Sequence, residues 1–588
     1  MRELAQALER ARETRSRLAK IAAIAEALRG AAREGPAALA TATRLAMGRT
    51  LPLADGRTLG VGWRLVGGVA TALTGASEAA LREAMQRLGD LGDAVCELYG
   101  PAHARDPRRG VTLAELAALF EAVASTGQRA TKSALLLELL SRATPLEAKY
   151  IVKALLGELR TGAVEGVVVA AIAEAFGAPL KEVRHALGLL ADAADVAVLA
   201  SEGRLGEARL VPGRPFAFML ATPMETIASP IEWEACAAED KLDGVRAQVH
   251  VAAGQASVFA RGFERVTHAF PEVAQGFASQ ADAVLDGEIV AMGVDGRVRP
   301  FQALQARLGR VAPSAELLAQ VPATFVAFDL LVDGERVLVD APWSERREAL
   351  ERFAGRRDSQ AAFLLNPCYR VAGPEELDAA FDRARGRGQE GLVLKRRDAP
   401  YEAGRRGQAW IKVKKAFATL DVVVTAVELG HGKRAGILSD YTFAVRREED
   451  GELVDVGKAY SGLSDAEIAE NAQLFMATTR EEQGWRRIVE PRLVIEVGFD
   501  GIQRSKRHPS GYALRFPRIL RIRKEKGLDE VDTAATVEAL FRAQVASGHR
   551  EEAEAPAPAR TGRGRRGKRR EDRQLSLFGE EEEREKKR

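Results

Sequence analysis

A lysine between acidic neighbours marks the most informative stretch of the chain, which reads Glu-Asp-Lys-Leu-Asp-Gly over residues 239–244. A Lys-x-Asp-Gly string alone would occur by chance in about one chain in ten of this length, so by itself it predicts only a charged turn. Here it opens an ordered series of charged motifs. The later members are Arg261-Gly262, Asp286-Gly287-Glu288, Phe328-Asp329, Glu390-Gly391 and Lys412-Val413-Lys414.

The chemistry that such a series could perform is covalent phosphorus chemistry on a lysine. An unprotonated lysine amine can attack the α-phosphorus of a nucleotide such as ATP and store the nucleotide as a phosphoramidate. Cations close to Lys241 would favour its neutral form. Lys412 and Lys414 are two apart in a strand pattern, so both point to one face while Ile411 and Val413 point to the core. Alone, this pattern is usually a solvated strand face; beside Lys241 it indicates a face that holds phosphate.

Two glutamates end apolar runs in the same series. Glu288 and Glu390 could hold Mg²⁺ between the protein and phosphate oxygens. Either could instead be the acid of a structural salt bridge, which is the commoner role of a single glutamate. Phe328 lies in an apolar strand pattern and, on the residues alone, could equally be a core residue.

The ordered series resembles the covalent nucleotidyltransferases. With the helical region that precedes it, the chain resembles the ATP-dependent DNA ligases of archaea and bacteria. Glu147-Ala148-Lys149-Tyr150 and residues 157–162 resemble the DNA-binding domain of that family. Arg515-Phe516-Pro517-Arg518 and Arg521-Ile522-Arg523 resemble its last motif, so the resemblance covers residues 1–540.

The resemblance implies that Lys241 takes AMP from ATP. It implies further ATP contacts from Glu239 (adenine amino group), Phe328 (stacked on adenine), Glu288 (ribose), Arg246, Arg261 and Arg406 (ribose and phosphates), Lys412 and Lys414 (α-phosphate), and Arg523 and Lys526 (pyrophosphate). Glu390 and Glu288 are the implied ligands of Mg²⁺, for which Mn²⁺ could substitute. The chain departs from the family at Glu525, where aspartate is usual.

The elements that must position these residues divide the chain into four parts. Residues 1–207 read as successive helices, with a capping box at Thr144 and Glu147. Residues 208–415 alternate strands and helices as an α+β domain, and residues 416–545 hold denser strands, typical of a small β-barrel. The resemblance identifies this multidomain fold as an all-α DNA-binding domain, a nucleotidyltransferase (adenylation) domain and an OB-fold domain.

The fourth part, residues 546–588, has the composition of a disordered tether. Within it, the string Gln-Leu-Ser-Leu-Phe at 574–578 resembles the peptide by which bacterial polymerases and repair proteins bind the sliding clamp. Gln574 would be the polar anchor, and the apolar contacts would come from Leu575, Leu577 and Phe578. The alternative is a tail that folds back on the protein or has no binding role.

Composition excludes several classes of protein. Of the 588 residues, 46% are hydrophobic and 29% charged, as in soluble globular proteins. No apolar run approaches the roughly 18 residues of a membrane span, and the N-terminus has no signal-peptide core. Cys96, Cys236 and Cys368 are too few and too distant for a disulfide framework or a four-cysteine zinc site. We expect a monomer in the cytoplasm, associated with the nucleoid and not with a membrane.

The sequence therefore predicts an ATP-dependent ligase that seals 5′-phosphate/3′-hydroxyl nicks in double-stranded DNA during replication, repair or recombination. An RNA ligase or capping-type guanylyltransferase would share the lysine chemistry, but the helical region ahead of Lys241 argues against both. A non-catalytic DNA-binding protein with the same fold is opposed by the intact Lys241, Glu390, Lys412 and Lys414. An NAD-dependent ligase would be expected to carry a four-cysteine zinc site.

Overall fold

A computed structural model describes residues 1–546 except 54, 100–109, 228, 278–280, 294–295, 300, 309, 311, 357–362, 415–417, 431–433, 435 and 449. The predicted tether and its 574–578 motif lie outside the described residues. Helices form the N-terminal part of the chain, and strands dominate from residue 220 onward. Over the residues described, no helix is long and apolar enough to cross a membrane.

The N-terminal part is a helical bundle whose apolar faces share one core. Its helices are α1 (Arg2–Glu13), α2 (Arg17–Arg33), α3 (Pro36–Ala46), α4 (Trp63–Thr74), α5 (Glu78–Leu88), α6 (Leu91–Leu98), α7 (Leu113–Ser125), α8 (Arg129–Arg142), α9 (Pro145–Leu156), α10 (Glu165–Phe176), α11 (Leu180–Leu190) and α12 (Ala193–Ser201). The capping box predicted for α9 is confirmed. Thr144 Oγ1 accepts from the backbone N–H of Glu147, and the Glu147 carboxylate accepts from the backbone N–H of Thr144.

Two lysines of α9 are buried inside this bundle. Lys149 Nζ lies 2.9 Å from Asp93, and Lys153 Nζ lies 2.8 Å from Asp90 and 2.9 Å from Asp93. Both side chains are almost fully inaccessible to solvent. Buried charges of this kind are tolerated only when paired, so these lysines join α9 to α6.

The middle part is built from two β-sheets. Its strands are β1 (Leu220–Pro223), β2 (Cys236–Lys241), β3 (Val245–Ala252), β4 (Gln255–Ala260), β5 (Ala283–Met292), β6 (Val298–Arg299), β7 (Ala323–Asp333), β8 (Arg336–Val337), β9 (Phe363–Leu365), β10 (Cys368–Tyr369), β11 (Gly391–Arg396) and β12 (Arg406–Val413). The first sheet has the order β1-β12-β11-β2-β10. The second has the order β4-β3-β5-β7-β8, with β6 on β5 and β9 on β7. Its helices are α13 (Pro271–Gln275), α14 (Gln302–Gln305), α15 (Ala315–Gln320), α16 (Trp343–Gly355) and α17 (Pro374–Gly386).

The C-terminal part is mostly β-structure around its own apolar core. Its elements are β13 (Ala418–Leu429), β14 (Leu438–Arg446), β15 (Leu453–Ala459), α18 (Asp465–Ala477), β16 (Thr479–Gln483), β17 (Arg486–Val489), β18 (Val494–Phe499), β19 (Gly501–Arg504), β20 (Tyr512–Arg515), β21 (Arg518–Ile522) and α19 (Ala534–Ala546). Strand β13 is central: it pairs with β14 on one side and with β17 and β18 on the other. Strand β18 also pairs with β21, and β19 pairs with β20.

A buried polar cluster ties the segment that enters the middle part to β3. His250 Nδ1 accepts from the backbone N–H of Gly213 at 3.3 Å, and its Nε2 lies 3.1 Å from Gln248 Oε1. Gln248 in turn exchanges two hydrogen bonds with the backbone of Phe216. Burial lowers the pKa of His250 to about 3. The ring is therefore neutral, as the bond from Gly213 requires.

His250→Gln should reduce the pH dependence of stability. The unfolded histidine has a pKa of 6.5 and the folded one a pKa of about 3. The unfolded state therefore binds one proton more in that window, and stability falls by about 1.4 kcal/mol per pH unit as pH drops. Urea unfolding at pH 7, 6 and 5 measures the slope. His268→Gln is the control, because His268 is exposed and should leave the slope unchanged. Equal slopes for wild type and His250→Gln would contradict the prediction.

Candidate active site

Lys241 lies where the two sheets of the middle part meet. It is the last residue of β2, and after a three-residue turn the chain enters β3 of the other sheet. The turn passes directly over β5: a Cβ on Gly244 would lie 2.2 Å from the carbonyl oxygen of Ile289 and 2.9 Å from Cγ of Glu288. Only glycine allows this approach, which explains the last position of the Lys-x-Asp-Gly motif and brings Lys241 toward Glu288.

Glu390 is placed against Lys241 by strand pairing. Gly391 of β11 is opposite Lys241 of β2, and the backbone N–H of Glu390 donates to the Lys241 carbonyl oxygen at 2.8 Å. The Glu390 carboxylate contacts Lys241 Nζ and lies 2.9 Å from Lys414 Nζ. Gly391 has a φ of +152°, and a Cβ there would lie 2.3 Å from the carbonyl oxygen of Val413. The glycine therefore lets β11 and β12 close around the carboxylate.

Opposite charges and burial set the protonation of this cluster. Burial alone would raise the pKa of Glu390, but the charges of Lys241 and Lys414 hold it below its usual value. Burial, together with the nearby cation Lys414, lowers the pKa of Lys412. Burial raises the pKa of Glu288 to about 7, against the effect of Lys241. As predicted, Lys412 and Lys414 are part-exposed while the residues between and before them are buried.

The carboxylates of the cluster fit a hard divalent cation. Glu390 is one cause of the raised pKa of Glu288, so the two acids interact and a cation between them would relieve their repulsion. Where the chain is described, it holds no cluster of three metal-ligating side chains. One or two carboxylates, with phosphate oxygens and water as the other ligands, is the arrangement that Mg²⁺ prefers with nucleotides.

Glu239 lies in a second, buried cluster behind Lys241. Its Oε2 is 2.8 Å from Lys395 Nζ, and its Oε1 is 3.3 Å from Arg347 Nη1. Lys395 Nζ donates to the carbonyl oxygen of Phe328 at 3.0 Å and lies 4.5 Å from the centre of its ring. Asn366 is buried alongside, and among the described atoms its Oδ1 has no hydrogen-bond partner. Lys395 thus links Glu239 to Phe328, and the contacts of these two residues with adenine stay predictions.

The side chain of Arg246 is held by contacts with other side chains of the middle part. Its Nε and Nη2 donate to the two carboxylate oxygens of Asp286 at 2.7 and 2.6 Å. Its guanidinium carbon lies 4.7 Å from the ring centre of Phe328 and 5.4 Å from that of Trp410. The contact of Arg246 with ribose or phosphate stays a prediction.

The other two arginines predicted to contact ribose and phosphates are exposed. Arg261 follows β4 and lines a cleft of about 200 Å³, together with Arg49 from the helical bundle. Arg406 begins β12 and contributes to the lowered pKa of Lys412, after burial and Lys414. Both positions are open to an anionic ligand.

Arg523 and Lys526 make their ion pairs within the C-terminal part. Both contact Asp421, at 3.0 and 2.7 Å, and Arg523 Nε lies 2.6 Å from Glu525. In the described portion of the chain, none of these ion pairs involves Lys241 or its neighbours. The structure therefore does not join these two residues to the lysine cluster, and their contact with pyrophosphate stays a prediction.

Sequence reasoning did not single out Asp500, which the fold brings to the site, and gave no sign that Arg515 of the last motif would lie near Asp243. Asp500, between β18 and β19, lies 3.7 Å from Lys414 Nζ through its Oδ2. Arg515 interacts electrostatically with Asp243, whose pKa is raised mainly by burial. Asp500 follows an apolar strand, which is a weak signal because many surface acids do so.

Comparison with known proteins points to one family. The family described as ATP dependent DNA ligase domain matches residues 218–414, and those described as DNA ligase N terminus and ATP dependent DNA ligase C terminal region match residues 1–173 and 434–526. A Probable DNA ligase of Koribacter versatilis is 44% identical over 572 residues, which cover 92% of this chain and 97% of that protein. A DNA ligase of Methanothrix thermoacetophila is 35% identical over 485 residues, with 80% and 86% covered. A solved structure named Pmar-Lig_PreS3 is similar in fold over 88% of this chain and 99% of its own, with a TM-score of 0.56 and 18% identity.

Lys395→Met should destabilise the protein strongly. The substitution removes the cation nearest to the buried carboxylate of Glu239, and breaking one side of a buried pair costs about 3–5 kcal/mol. Arg396→Met is a matched control at the next position, because Arg396 pairs with Asp398 at the surface and should lose less than about 1 kcal/mol. Urea unfolding of both variants measures the difference. Similar small losses in the two would show that Glu239 does not depend on Lys395.

Proposed function

The chain belongs to the family of ATP-dependent DNA ligases, and we propose that it seals 5′-phosphate/3′-hydroxyl nicks in duplex DNA through an AMP carried on Lys241. The observation that carries this proposal is the Lys241–Glu390–Lys414 cluster at the junction of the two sheets. It combines a nucleophile, a carboxylate and a phosphate-binding cation within one part-exposed site.

In the first step, the neutral Nζ of Lys241 attacks the α-phosphorus of ATP. An N–P bond forms, the bond to pyrophosphate breaks, and the amine loses its proton. Lys412 and Lys414 would neutralise the α-phosphate, since both are part-exposed while Ile411 and Val413 are buried. The AMP then passes to the 5′-phosphate of the nick, and attack by the 3′-hydroxyl releases it. Positioning and charge neutralisation supply most of the catalysis in such transfers.

Glu390 and Glu288 are the residues that would hold Mg²⁺, or Mn²⁺ in its place. The bound cation would supply charge neutralisation at phosphate oxygens. Glu239 would accept a hydrogen bond from the adenine amino group, and Phe328 would pack on the base. Arg246, Arg261 and Arg406 would contact ribose and phosphates, and Arg523 and Lys526 would contact the pyrophosphate.

We propose the domain limits 1–207, 208–415 and 416–545, with an OB-fold for the third. The pairing of β13 with β14, β17 and β18 supports a curved barrel-like sheet. The helical domain and the barrel would hold DNA through phosphate contacts, which position a duplex without reading its sequence. The protein would act as a monomer at the nucleoid, in replication, repair or recombination.

Lys241→Ala should abolish AMP transfer to the protein without unfolding it. After incubation with ATP and Mg²⁺, mass spectrometry of wild-type peptides should show one AMP, attached to Lys241. Lys458→Ala is a suitable control, since that lysine pairs with Glu428 on the C-terminal part and should leave the adduct intact. An AMP on another residue, or none in the wild type, would overturn the proposal.

We further propose that residues 574–578 bind a bacterial sliding clamp. The support is the sequence: Leu575, Leu577 and Phe578 are large apolar residues in a segment otherwise rich in charge. A short apolar motif in such a segment is typical of peptides that dock into a groove. The tether would raise the local concentration of the ligase at DNA that carries a clamp.

Deletion of 574–578 should remove clamp binding and leave sealing of a bare nick unchanged. Titration of the clamp from the same organism against the full-length and deleted chains measures the first effect. Deletion of the neighbouring acidic run 580–583, which is one residue shorter, is the control and should keep binding. Equal affinities for the full-length chain and the 574–578 deletion would contradict the proposal.

A further inference from the structure

A carboxylate of the C-terminal part reaches the lysine cluster of the middle part. Asp500 Oδ2 lies 3.7 Å from Lys414 Nζ, and Asp500 Oδ1 accepts from Arg518 Nη1 at 3.0 Å. Since Lys414 also pairs with Glu390, which contacts Lys241, the charges alternate in sign from Lys241 to Arg518. One more cation, Arg385 of α17, interacts electrostatically with both Asp500 and Glu390.

The backbone holds Asp500 in this position. Its N–H donates to the carbonyl oxygen of Arg515 at 3.0 Å, at the base of the β19–β20 hairpin. The hairpin is anchored in turn by Gln544 of α19, which accepts from the N–H of Ile502 at 2.7 Å and donates to its carbonyl oxygen at 3.0 Å. These hydrogen bonds therefore fix the position of Asp500 within the C-terminal part.

The contact between Asp500 and Lys414 is accessible to a ligand. The exposed fractions of the two side chains are 24% and 27%. A carboxylate and a phosphate bind the same kind of donor, a lysine ammonium, and repel each other when both are close to it. In the absence of ATP, Asp500 and Glu390 together supply negative charge to a site that gathers Lys241, Lys412, Lys414 and Arg385.

We propose that Asp500 is a positioning residue that pairs with Lys414 until the phosphates of ATP displace its carboxylate. Its carboxylate acts as a counter-charge for the nucleotide-free site and competes with ATP for the same ammonium group. The inference rests on the proposed adenylation of Lys241. It assigns to the C-terminal part a direct effect on ATP affinity, through a residue that does not touch the reacting atoms.

Asp500→Asn should lower the KM for ATP in adenylation of Lys241 by about three- to ten-fold, because a part-exposed pair and a like-charge repulsion are both lost. The maximal rate of AMP-adduct formation at saturating ATP should stay within about two-fold. Lys414 contacts phosphate in the ATP-bound state of either protein. The gain should shrink at about 0.5 M NaCl, where screening weakens part-exposed charges. Asp500→Glu should keep the wild-type KM.

Asp529→Asn is the matched control, an exposed aspartate of the same part whose side chain forms no ion pair among the described residues, and it should leave the KM unchanged. Asp500→Ser is a second neutral variant, and thermal midpoints are measured for all. A KM equal to or above wild type in folded Asp500→Asn and Asp500→Ser would overturn the inference. Failure of the wild type to form an AMP adduct on Lys241 would instead overturn the proposed function.

Discussion

A carboxylate held between two lysines is the interaction on which the proposed adenylation site depends. Glu390 contacts Lys241 and Lys414, and their charges keep its pKa low although burial acts in the opposite direction. Without that carboxylate, Lys241, Lys412 and Lys414 would repel one another in a part-buried cleft. The acid that the strand brings among the three lysines therefore allows them to be gathered in one cleft.

That placement is a matter of backbone geometry. The register of β11 against β2 sets Glu390 beside Lys241, and glycines at 244 and 391 remove the side chains that would keep the strands apart. The junction between the two sheets thus lies at the lysine itself. Neither glycine contributes a group to the chemistry, yet both decide whether the groups meet.

Much of this could be predicted from the sequence, because strand periodicity is local. The alternation of strands and helices expected over residues 208–415 is present, and the residues of the Lys412–Lys414 run alternate between core and cleft as expected. Pairings between distant segments could not be predicted, since local pattern does not encode them. Lys149 belongs to a segment that resembles a DNA-binding domain, yet it is buried against Asp93. Asp500 belongs to none of the sequence motifs and is brought to Lys414 only by the fold.

The sequence also does not show which charges are paired in the basic segment 504–526. The charge of this segment suggests an open surface for polyphosphate or DNA. In the fold, several of its cations are paired with acids from other elements: Arg518 with Asp500, Arg521 with Glu496, Arg523 and Lys526 with Asp421, and Lys524 with Glu470. A phosphate that approaches these residues must compete with carboxylates already in place. Part-exposed pairs of this kind are individually weak, so a polyanion can displace them at small cost. The C-terminal part can therefore carry many cations without strong self-repulsion and still release them to a more highly charged ligand, which is the exchange that Asp500 would perform for Lys414.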